Sequence, residues 1–118
     1  MEIWQLTATE LRQKISKGEI SAREATESHL SRMDQINVKI NAVAQSCETE
    51  ALKEADLIDD KCLRGDELGA LAGVPVTVKI NVDQRGYATT NGLQLQKDLV
   101  ATIDNPVVNN LRKAGAII

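Results

Sequence analysis

Aromatic side chains are almost missing: the 118 residues hold one Trp, one Tyr and no Phe, 2% in all. Each buried aromatic would remove about 150 to 250 Å² from water and such groups dominate cores and interfaces. Whatever core exists must therefore be built from Val, Ile, Leu and Ala, a thin filling for an independent domain. Metal-ligating residues are as sparse. Cys47 and Cys62 stand well apart, no C-x-x-C occurs, and His29 is the single histidine. This supports no zinc site, and both thiols read as reduced. Long apolar runs are absent, and Met1-Glu2-Ile3-Trp4-Gln5 has neither a basic nor an apolar region. Neither a membrane span nor a signal peptide is expected, and a cytoplasmic protein is the default. Positive charge is short too: 14 Lys plus Arg face 17 Asp plus Glu, with no basic run. Without that footprint, and without rings to stack on bases, nucleic acid is not an expected partner.

What remains is an ordinary globular composition, 42% apolar and 26% charged, on a length that suits one domain at most. The first half reads as successive helices. Thr7-Ala8-Thr9-Glu10 and Ser21-Ala22-Arg23-Glu24 fit the capping box, in which the hydroxyl accepts from the third helical N–H and the Glu bonds back to the cap. The first helix aligns Ala8, Leu11 and Ile15 and stops at Gly18. The second aligns Ala22, Ala25, His29, Met33 and Ile36 at spacings of three and four. Residues 38–45 alternate loosely as a short strand. A third helix over Glu48 to Leu63 aligns Ala51, Ala55, Ile58 and Cys62 and breaks at Arg64-Gly65.

From Gly65 onward the composition changes, with six of the seven glycines and both prolines in the second part. Residues 73–83 alternate strictly, Val74, Val76, Val78, Ile80 and Val82 against Pro75, Thr77, Lys79, Asn81 and Asp83, which predicts a strand. A loop with Asn91-Gly92 turn chemistry follows. Asn105-Pro106 reads as a cap and first helical position. Val107, Val108, Leu111 and Ala114 form the apolar face of a short helix, and Ala116-Ile117-Ile118 begins another strand. A crossover unit whose second strand has barely begun leads us to expect that these 118 residues open something longer.

Chemistry is scarce. His29 on an apolar stripe reads as structural, and the serines Ser16, Ser21, Ser28, Ser31 and Ser46 read as caps or solvent-exposed groups. No G-x-S-x-G, Walker loop, H-E-x-x-H or G-x-G-x-x-G occurs. Lys79, mid-strand on the polar face, is the candidate catalytic residue: a desolvated lysine loses charge and can act as a base. The competing reading is an exposed strand lysine.

The run from Leu68-Gly69-Ala70-Leu71-Ala72-Gly73-Val74-Pro75-Val76-Thr77-Val78-Lys79 through Asp83, then Gly86, Thr89-Thr90-Asn91-Gly92, and Asn109 to Ile118, closely resembles the amidase signature family. The opening helices, with Leu11, Ser21-Ala22, His29-Leu30 and Ile36 to Ala42, resemble the same family's start. The resemblance implies an α/β fold in which N-terminal helices (1–64) precede the first strands and a helix (65–118) of a mixed-sheet core, incomplete in this chain. It also implies a Ser-Ser-Lys triad that hydrolyses or transfers carboxamides, with Lys79 at the lysine position and both serines in a later Gly/Ser-rich stretch. The isolated chain is then expected to be inactive. No metal or organic cofactor is implied, and the partner is a small-molecule amide. Two positions depart from the family pattern: Ile80 where an acidic residue is usual, and Leu93 where Gly-Ser is usual. The alternative is a truncated or degenerate non-catalytic packing module. A split enzyme completed by another chain would predict an exposed apolar edge, self-association and instability of the lone chain.

Overall fold

The computed structural model describes residues 1–118. A 3-10 turn at Ile3–Gln5 leads into α1 (Ala8–Ser16), α2 (Ala22–Ile40) and α3 (Glu48–Arg64). A long irregular segment then carries a second 3-10 turn at Gln94–Gln96 and ends in α4 (Pro106–Lys113).

The capping chemistry read from the sequence sets the helix starts. Thr7 Oγ1 accepts from Glu10 N at 3.3 Å while the Glu10 carboxylate accepts from Thr7 N at 2.7 Å. Ser21 and Glu24 repeat the exchange at 2.9 and 2.7 Å. The start of α2 has a further partner outside its own helix, because the Asp59 carboxylate of α3 accepts from Ala22 N and Arg23 N. Asn105 opens α4 by accepting from Val107 N at 2.9 Å, with Pro106 at the first helical position. Gly65 ends α3 in the left-handed conformation that glycine adopts without strain.

The core is where α1, α2 and α3 meet the segment around Ala72 and Val74. Leu11, Ile15, Ala22, Ala25, Ala51, Ala55, Ile58, Ala72, Val74 and Ile117 form one cluster. It contains no aromatic ring, and three residues of the α2 and α3 faces in it, Ala22, Ala25 and Ala55, are 0% exposed. The periodic stripes bury only in part: Ala8 is exposed and Met33 and Ile36 are half-buried. Only 16 of 118 residues are buried, and the radius of gyration of 14.8 Å exceeds the roughly 13.5 Å of a compact domain this long. The chain is therefore looser than a closed globule.

The expected strands are corrected by the structure. Residues 38–40 belong to α2, which runs on until Asn41 takes the left-handed conformation (φ 49°). Asn37 then bonds both the N–H and the carbonyl of Val43, fixing the exit as a loop. The 73–83 segment and the 116–118 end form no ladder: what exists is one parallel bridge, Pro75 to Ile117, and one antiparallel bridge, Ala88 to Val100. A turn closed by Val82 N to Lys79 O at 3.0 Å interrupts the first of these segments. Sheets need three or more strands over an apolar face to persist, and residues 1–118 supply no further neighbours. The alternation itself survives as burial, with Val74, Val76, Val78, Ile80 and Val82 buried or half-buried and Thr77, Lys79, Asn81 and Asp83 exposed.

Candidate functional site

Lys79 closes an extended stretch that begins at Val74 and stands at its exposed edge. Valines at every second position bury one face and so turn Thr77 and Lys79 to the other. The upstream end of the stretch is pinned by Val76 N to Ile117 O at 2.7 Å and Ile117 N to Val74 O at 2.9 Å. Beyond Lys79, Asp83 receives the Thr89 hydroxyl at 2.5 Å and Asn105 N on its carbonyl at 2.8 Å.

Lys79 lines a shallow cleft of about 40 Å³ with Gln45, Cys47, Ile80, Gln84 and Tyr87. A buried water needs about 10–15 Å³ by this measure, so the cleft has room for a few waters. Its wall is joined to the start of α3. Gln84, 9% exposed, donates from Nε2 to the Cys47 Sγ at 3.4 Å. Burial, then the neighbouring Glu50 carboxylate and Cys47 thiol, push the Tyr87 phenol far above its ordinary range. The Tyr87 hydroxyl and the helix-start N–H of Glu50 hold the Glu50 carboxyl below its own.

Sequence reasoning reaches Lys79 and misses this wall. Cys47 and Tyr87 lie 40 positions apart, and no periodic pattern joins them. His29 is accounted for structurally, its Nδ1 donating to the Ala25 carbonyl at 2.7 Å. Ser21 caps α2 and Ser16 donates to Gln13 O, while no serine lines the Lys79 cleft. No group of three or more His, Cys, Asp or Glu is placed to hold a metal ion, and no helix is long and apolar enough to cross a membrane.

A sequence profile described as Amidase matches residues 24–118. The indoleacetamide hydrolase of Bradyrhizobium diazoefficiens is 47% identical over 116 residues, which is 98% of this chain and 22% of that protein. One subunit of the glutamyl-tRNA(Gln) amidotransferase of Alkaliphilus metalliredigens is 33% identical over the whole chain and 24% of its own length. Among solved structures, a fatty acid amide hydrolase superposes with a TM-score of 0.91 at 27% identity, over 98% of this chain and 20% of that one. A bacterial aryl acylamidase of the amidase signature enzymes gives 0.89 at 25%, over 97% and 24%. The chain thus spans between a fifth and a quarter of the length of each of these relatives. With the profile covering most of its residues and the helices superposing on those of known members, the chain belongs to the amidase signature family.

Proposed function

We propose that these 118 residues are the N-terminal portion of an amidase signature domain that hydrolyses the C–N bond of carboxamides, and that Lys79 is its general base. The observation that supports this most is the position of Lys79. By the resemblance of residues 68–83 to the family's motif, Lys79 matches its lysine; its side chain is exposed beside an open cleft, and the base role requires sequence outside residues 1–118 to cover and desolvate it. In this reading the Lys79 amine takes a proton relayed by one serine from a second, which attacks the amide carbon. The proton then passes to the departing amine, and water releases the acyl group from the serine. Both serines would come from sequence outside residues 1–118, so the isolated chain is inactive. An amidase acting on small amides is favoured over ammonia transfer by the 47% identity to an indoleacetamide hydrolase, against 33% for the amidotransferase chain.

The test uses the complete enzyme carrying these residues, with indoleacetamide and glutamine as alternative amides. Lys79→Ala is expected to lower kcat by about 10²- to 10⁴-fold, the usual worth of a positioned base. An unchanged kcat overturns the base assignment.

A second reading is favoured by the surface. Leu95 is 99% exposed and Ile103 72%, with Leu93, Leu99, Val100 and Val107 each more than half exposed. We propose that this apolar stretch makes the lone chain associate, with itself or with a chain that completes it. Size-exclusion chromatography of the isolated chain checks this, and a concentration-independent monomer refutes it.

A further inference from the structure

Lys79 has no ladder of its own: apart from the turn bond from Val82 N to its carbonyl, the backbone bonds of its segment lie at the flanks. Both flanks are fastened to opposite ends of α4, a helix of eight residues and so about 12 Å long. Just past the C-terminal end of α4, Ala114 O accepts from Leu71 N at 2.9 Å and Gly115 O from Gly73 N at 3.0 Å. The Ile117 bonds to Val74 and Val76 then complete the upstream flank. Just before its N-terminal end, Asn105 N donates to Asp83 O at 2.8 Å. The Asp104 carboxylate uses its two oxygens separately. Oδ1 accepts from Arg85 N at 2.8 Å, and Oδ2 accepts from Arg112 Nε at 3.1 Å.

Arg112 lies in the last turn of α4. Asp104 therefore joins the loop beyond Lys79 to the helix end that also anchors the stretch before Lys79. It adds to the backbone bond from Asn105 N to Asp83 O a side-chain tie that reaches the far end of the helix. This pair is also the most sheltered ion pair of the chain, the Asp104 and Arg112 side chains being 17% and 32% exposed. An exposed pair in its place would be worth little.

We infer that Asp104 is a positioning residue for Lys79, setting the place of the amine by locking the downstream flank of its segment onto α4. The inference rests on Lys79 being the base. A displacement of about 1 Å at a reacting group can cost about a hundredfold in rate, and Asp104 acts at that scale, without touching substrate.

The experiment measures kcat and KM for indoleacetamide hydrolysis by the complete enzyme. Asp104→Ala is expected to lower kcat between about tenfold and a hundredfold while KM stays within about twofold. Asp104→Asn keeps an acceptor for Arg85 N–H but drops the charge pair, and should recover most of the loss. In a Lys79→Ala background Asp104→Ala should cost nothing further, because there is no amine left to place. An unchanged kcat for Asp104→Ala, or a full additional loss in the Lys79→Ala background, overturns the inference. Where Asp104→Ala does not fold, Asp104→Asn decides: a fall in kcat of about threefold at constant KM supports it, and a wild-type kcat refutes it. A Lys79→Ala enzyme of normal activity would instead remove the base reading itself, a separate outcome.

Discussion

The Ala114 carbonyl lies so close over Gly69 that a methyl group on residue 69 would meet its carbon at 2.6 Å, and its oxygen closer still. Neither side can retreat. Gly69 O is held by Arg12 Nε of α1 at 2.9 Å, and Ala114 O by Leu71 N at 2.9 Å. The contact sets how near α4 comes to the segment leading to Lys79, so a side chain at residue 69 would separate the two.

Gly69→Ala is therefore expected to cost about 3 kcal/mol, the upper end of overpacking, because backbone stands on both sides. Urea unfolding checks it, and a change below about 0.5 kcal/mol, the level of an ordinary surface substitution, would show that the junction relaxes.

Asp59 of α3 accepts from Ala22 N at 2.7 Å and Arg23 N at 3.1 Å, beside the Ser21 cap on Glu24 N. Three of the four free N–H groups at the start of α2 are thereby satisfied, two of them by a neighbouring helix. Asp59→Ala should cost about 1.5 to 3 kcal/mol, the range for hydrogen bonds to a charged group. Asp59→Asn, which retains one acceptor, should cost less. Equal effects for the two variants would deny the carboxylate this double role.

The starts of α1, α2 and α4 are legible in the sequence because capping boxes and the Asn105-Pro106 pair are local chemistry, decided within four residues, whereas the end of α2 is read too early. α3 ends within a residue of the position read from Arg64-Gly65. The strands are misjudged for the opposite reason. Alternation at 73–83 predicts which side chains are buried, and it does so here, but a ladder needs neighbouring strands that residues 1–118 do not contain. Lys79 is visible through its motif. The bonds of Asp104, Arg112 and Asp83 are not, because they form only when α4 folds back beside the 71–85 segment. The wall made by Cys47, Gln84 and Tyr87 likewise joins two distant stretches of chain.

The capping glutamates make an acid-sensitive pair of helix starts. The Glu10 carboxyl is held below its ordinary value of 4.5 first by the Thr7 backbone N–H and then by the Thr7 hydroxyl, and Glu24 likewise by Ser21. A carboxyl depressed in the folded state contributes stability that is fully present above 4.5 and is lost as pH falls through the lower folded value. Urea midpoints should be flat between pH 6 and pH 5 on this account, then fall below about 4.5. In Glu10→Gln plus Glu24→Gln the acid-side fall should be shallower. An identical slope in the double variant would place the acid sensitivity elsewhere.

The scarcity of aromatics has a structural counterpart in the crossing of α2 and α3. Ala25 and Ala55 are both 0% exposed within one cluster, and side chains this small let two helix backbones approach closely. With both side chains fully buried, a larger residue at either place must displace its neighbours. Ala55→Leu should therefore destabilise by about 1 to 3 kcal/mol although it adds apolar surface. Leu57, two residues on and 54% exposed, provides the contrast: Leu57→Ala should change stability by no more than about 0.5 kcal/mol. The pair distinguishes a tight seam from a merely underfilled core, since in an underfilled core the larger residue at 55 would raise the urea midpoint.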